Sequence, residues 1–186
     1  MASTYPTSLD TFTNPSASSL LTSPSHAQQH SDINDAMEAV QTKLAIGNTV
    51  IGTYTAYTPT WTNLTVGNGV VSSAYCRVND FVHVHGKFTF GSTSAITGTV
   101  IANFPVNVNG AFTNDAAIYG IAQYRDLSTN AIYPGVAAFA GNDTVFTLRV
   151  QVASGTYLTQ GGVTGSAPFT WATGDFMAWN LYYRAA

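Results

Sequence analysis

The chain has 186 residues and 19.7 kDa, which suits one ordinary domain with an appendage and leaves little room for two. Only 8 % of residues are charged, and 6 basic against 9 acidic side chains give a net charge of −3 with no cationic run, which excludes the electrostatic footprint of a nucleic-acid binder. The single Cys76 excludes an intrachain disulfide or a cysteine metal cage, and no G-x-x-x-x-G-K-[ST] or strand-bound G-x-G-x-x-G cradles a phosphate.

Residues 1–30 are rich in Ser, Thr and Pro and carry one charged side chain, Asp10. Such a segment cannot bury enough surface to fold alone. Two readings stay open: a disordered tail, or an extended arm that orders on a partner. The second is suggested by Tyr5, Leu9, Phe12, Leu20 and Leu21, spaced between Pro6, Pro15 and Pro24 like anchors on a strap.

Residues 31–47 predict a helix, with Ser31 or Asp32 as N-cap, Asp32, Asp35 and Glu38 near its positive start, Lys43 near its end and Gly47 closing it. Ile33, Met37, Val40 and Leu44 are spaced 4, 3 and 4, the a/d seam of a short coiled coil. So short a helix is marginal in water, so the seam packs either on its own domain or on copies of itself.

From residue 52 to 186 the period becomes two. In 81–90, Val82, Val84, Gly86, Phe88 and Phe90 share one face, and His83, His85, Lys87 and Thr89 the other. The same parity puts Phe146, Leu148, Val150 and Val152 inward in 144–152, with Thr147, Arg149 and Gln151 outward, and Met177, Trp179, Leu181 and Tyr183 together at the C-terminus. Further strands are predicted at 54–62, 70–78, 97–103, 116–125 and 131–140, parted by turns such as Gly67-Asn68-Gly69 and Gly141-Asn142-Asp143. About eight strands at this spacing predict a mainly β domain, an antiparallel β-sandwich or jelly roll behind an extended arm and one short α-helix.

Two strands break the alternation. In 116–124, Ile118, Ala122 and Tyr124 share one face, Tyr119 and Ile121 the other, and 131–140 is nearly all apolar, so both faces need cover, from a subunit interface or from end-loops. Open sheet edges on so uncharged a chain also favour a closed oligomer.

His83-Val84-His85 is the one constellation with the look of a site, since i and i+2 on a strand place both imidazoles on one face. The Glu that follows H-x-H in the cupin pattern is absent from Gly86–Gly91, and two histidines underfill most coordination shells. The metal assignment is therefore none, with His83 and His85 as weak candidates only, and no cofactor is expected. Cys76 shares the parity of Ala74 and Val78 and is expected in the core. The carboxylates fall almost entirely in the arm, helix and turns, Asp126, Asp143 and Asp175 as turn formers, so no catalytic pair is expected and the chain is read as non-enzymatic. Trp61, Trp171, Trp179 and Tyr182 could stack on sugars, but core filling is the commoner role of such aromatics. No basic segment leads into an apolar run at the start and no stretch of about 18 apolar residues occurs, so neither an export signal nor membrane insertion is expected.

The order of parts, a Ser/Thr/Pro arm, a short heptad helix and an uncharged Thr/Gly-rich β-domain, resembles small structural proteins of bacteriophage virions. The segment SLDTFTNPSASSLLTSPSHAQQHSDINDAMEAVQTKLAIG (Ser8–Gly47) resembles the N-terminal module of such proteins in phages of actinobacteria and related hosts. So does YTPTWTNLTVGNGVVSSAYCRVNDFVHVHGKFTFGSTSAITG (Tyr57–Gly98), with its T-P-T-W start and V-H-V-x-G-x-F-x-F strand. Members are minor tail proteins, tail fibres or head decorations. The resemblance implies a homotrimer in the virion, made in the host bacterial cytoplasm. Its residues 1–30 bind other virion proteins of tail or capsid, Ile33, Met37, Val40 and Leu44 line a three-fold bundle, and the β-domain projects outward. A minor tail or fibre role is preferred, with capsid decoration as the alternative. A lectin-like module binding host-surface glycan through exposed aromatics in loops such as 126–131 or 153–167 is the second.

Overall fold

The structure, a computed structural model, describes residues 25–44, 52–112 and 117–186, without the side chains of 41–44 and 112. The chain divides into two units, Met1–Thr53 and Tyr54–Ala186. In the first, α1 spans His26–Leu44 and starts earlier than predicted. Ser25 is the cap: its Oγ accepts the backbone N–H of Gln28 at 3.1 Å, and its carbonyl takes the first helical hydrogen bond, from Gln29. Residues 26–30, assigned to the arm, therefore belong to the helix, and Asp32, Asp35 and Glu38 lie a turn or more inside it. Pro24 before the cap and a first turn, His26–Gln29, without an acidic residue hid this start. Tyr5, Leu9, Phe12, Leu20, Leu21 and Gly47 lie outside the described residues.

The second unit is mainly β, as the alternation predicted. Its strands are β1 (Thr55–Ala56), β2 (Trp61–Thr65), β3 (Val70–Val78), β4 (Phe81–Thr89), β5 (Ala95–Asn103), β6 (Ile118–Asp126), β7 (Ala131–Phe139), β8 (Val145–Ser154), β9 (Tyr157–Gly162) and β10 (Phe176–Arg184). All pairs are antiparallel, in the order β1-β3-β4-β10-β6-β7-β8-β5-β2, with β9 on the side of β8. The count exceeds the expected eight because 54–62 holds parts of two strands and because Tyr157–Gly162, expected as loop, pairs with β8.

The sheet curls until its β2 end packs back over β4 and β10 across one apolar interior. Trp61 on β2 lies 5.5 Å from Trp179 on β10 and 6.1 Å from Phe88 on β4, although many strands separate them along the sheet. Phe104, just past β5, packs on Tyr119 and Tyr183 in the same way. The predicted inward rows of β4 and β10 are all buried, and β8 follows suit for Phe146, Leu148 and Val150. Burial pushes the hydroxyls of Tyr57, Tyr124 and Tyr183 above their ordinary range, while those of Tyr124 and Tyr183 donate to the carbonyls of Arg149 and Val106.

Four side chains depart from simple alternation. A bulge between Ile118 and Gly120 turns Tyr119 to the same buried side as Ala122 and Tyr124, leaving Ile118 with Ile121 outside. Thr147 faces outward but is buried, its hydroxyl donating to the Val100 carbonyl at 3.1 Å. Val152 keeps its parity yet is exposed, because β8 there runs past the curled sheet with only β9 beside it. Cys76, expected in the core, is half-buried on the outer face, paired in register with His83. Ile118, Ile121 and Ile132 are each more than half exposed, so the end-loops among the described residues do not cover them. The sheet edges are less open than expected: β1 has two residues, and β2 bulges at Asn63, whose φ is +63°.

Candidate functional site

The sequence-predicted histidines lie on the outer face of β3, β4 and β10. Register sets Cys76, His83 and Tyr182 in one row and Ala74, His85 and Asn180 in the next. His83 stacks on Tyr182, ring centres 4.5 Å apart and planes 12° from parallel. Its Nε2 lies 2.5 Å from Asn180 Oδ1, which only accepts, so Nε2 carries the proton. In the neutral ring Nδ1 is then the acceptor, and the Tyr54 hydroxyl 2.5 Å away donates to it. Tyr54, just before β1, also places its ring centre 4.8 Å from that of His85. Its phenol is held above the ordinary value of 10.0, first by desolvation and then by the neighbouring Cys76 side chain.

Because both nitrogens of His83 are engaged within the sheet, the pair presents only His85 to an ion. Among the described residues no three His, Cys, Asp or Glu side chains are grouped as a metal would need. This face is a packed aromatic surface, extended by Phe81 stacked on Tyr182. Tyr182 is the one sugar-stacking candidate that stands half exposed. Trp179 is buried, Trp61 packs against the core, and Trp171 stacks on Phe90 at 4.5 Å and donates its indole N–H to the Thr164 carbonyl.

Three described carboxylates of the β-domain, those of Asp80, Asp126 and Asp175, serve local structure. Asp80 pairs with Arg184 at 3.2 Å, both exposed. Asp126 accepts from the amide and hydroxyl of Ser128 and the amide of Thr129, and these bonds, the Ser128 hydroxyl first, hold its carboxyl below the usual range. Asp175, which sequence reasoning placed as a turn former, is buried and accepts from the amides of Leu127 and Ala172. Asp115 lies outside the described residues.

The other candidate is α1. Of its heptad seam, Ile33 and Met37 are 56 % and 54 % exposed, Val40 is half-buried, and the Leu44 side chain is not described. Of the loops expected to carry exposed aromatics, 126–131 offers exposed Leu127 but no aromatic ring, whereas 153–167 holds Tyr157 and Leu158, both largely exposed on β9. No described helix is long and apolar enough to cross a membrane. Compared with protein-family models, with curated proteins and with solved structures, the chain has no significant match.

Proposed function

We propose that this chain is a non-enzymatic structural protein of a bacteriophage particle, a homotrimer held to the particle by the segment before α1, with the β-domain outward as a minor tail or fibre protein. The observation that carries this reading is the open first half of the α1 seam: Ile33 and Met37 lie one helical turn apart, both more than half exposed, an apolar pair that is stabilised only when something covers it. An a/d stripe left open in one chain is satisfied when copies of the helix meet. The exposed Ile118, Ile121 and Ile132 offer neighbouring copies a second apolar surface. The resemblance of Ser8–Gly47 and Tyr57–Gly98 to virion proteins supplies the setting.

The test is the solution mass of the full chain by light scattering, beside that of the double variant Ile33→Lys, Met37→Lys. A mass near three times 19.7 kDa is expected for the parent and a monomer for the variant, with unchanged β-sheet circular dichroism in both. A monomeric parent, or a trimer indifferent to the two lysines, would overturn the seam as the assembly element.

A further inference from the structure

Strands β5 and β8 pair only over Ile101–Asn103 and then diverge. The end of β9 enters the gap: Gly162 pairs with Arg149, and just beyond it Val163 donates to the Leu148 carbonyl and accepts from the Val100 amide. Over this fork, on the outer face, lies a cleft of about 510 Å³, within the range of small-ligand sites. Its lining includes Thr99, Phe139, Thr147, Arg149, Gln160 and Gly162. Gly162 lets the Thr99 side chain lie directly against the cleft floor, because a Cβ there would fall 2.7 Å from it.

Arg149 is the distinctive member. Each other cation whose side chain is described has a partner. Arg184 pairs with Asp80, Arg77 donates to the Asn79 carbonyl, Arg125 donates to Asn130, and Lys87 sits over the Phe176 ring. The Arg149 guanidinium, half-buried in the cleft wall, has no such partner among the described residues. A single planar cation balances a single planar anion, and the overall charge of −3 disfavours a polyanion. Thr99 and Gln160 supply neutral donors and acceptors for hydroxyls, and Phe139 supplies an apolar wall.

We infer that this cleft binds a monoanionic sugar unit, its carboxylate on Arg149 and its hydroxyls on Thr99 and Gln160. The site lies within one chain, so it stands whether or not the chain trimerises. The test is amide NMR of the full chain titrated with glucuronate, with glucose as the neutral match and with acetate and inorganic phosphate as bare anions. Saturable shifts at Thr99, Gln160 and Gly162 are expected with glucuronate. Affinity is expected to be about tenfold or more below this for glucose and the bare anions, and for glucuronate with Arg149→Gln. Gln160→Ala, on the exposed ribbon, is expected to weaken glucuronate without moving amides outside the cleft. Equal binding of glucose, equal binding of acetate or phosphate, an unchanged affinity in both variants, or no saturable shift with glucuronate would each overturn the assignment.

Discussion

Replacing Trp179 by alanine is expected to remove about 3–5 kcal/mol of stability, out of a total near 5–15 kcal/mol for a domain of this size. Trp179 is 3 % exposed on β10, between β4 and β6, and its ring lies perpendicular to Trp61 across the interior. It also fills the space that Gly86 leaves on the neighbouring strand, where a Cβ would fall 2.2 Å from the indole. Deleting the ring therefore opens a cavity where the β2 end of the curled sheet packs back on β4 and β10, and rigid strands on both sides limit collapse into it. Urea unfolding followed by circular dichroism reads the loss. A decrease below about 1 kcal/mol would mean that the sheet does not close over this residue.

The second large effect is expected at Asp175. Its carboxylate, 1 % exposed, accepts from Leu127 N–H at 2.8 Å and Ala172 N–H at 2.6 Å, while its own carbonyl accepts from Phe90. One side chain thus ties the loop before β10 to the β6–β7 turn. Asp175→Ala leaves two amides without acceptors in a place water reaches poorly, a cost of about 1–3 kcal/mol for each. Asp175→Asn keeps one acceptor oxygen but turns a donor toward the other amide, so it is expected to lose a substantial part of the same stability. Thermal unfolding of both variants measures this. An alanine variant as stable as the parent would show that the amides find other partners.

The strands were legible wherever burial on one face and solvent on the other impose strict alternation, as in Phe81–Thr89 and Phe176–Arg184. They were less legible where that condition fails. The bulge at Ile118–Gly120 reverses the parity of the residues before it, and nothing in the local residues announces an extra one. Strand β9 is exposed along most of its length, so it has no apolar face to advertise it. Cys76 was misplaced because Ala74 and Val78, small or apolar, resemble a core row, whereas the register sets that row against His83 and His85.

Of the sites, the His83–His85 pair was visible as a motif, but its partners Tyr54 and Asn180 lie 29 and 97 residues from His83, and only the fold brings them together. The Arg149 cleft left no motif at all, being made by the divergence of β5 and β8 around Gly162. The heptad seam was the opposite case. Its spacing showed in the sequence as an apolar stripe whose partner, own domain or other copies, the residues left open, and of its four members Ile33 and Met37 stand exposed in the single chain.

Gold labelling in the electron microscope tests the proposed place of this protein in a virion most directly. An antibody raised against the β-domain would be applied to phage particles purified from a culture that expresses the chain. Label at the tail or its fibres is the expected result. Purified particles that bind no gold, with the chain recovered only free in the lysate, would contradict the account.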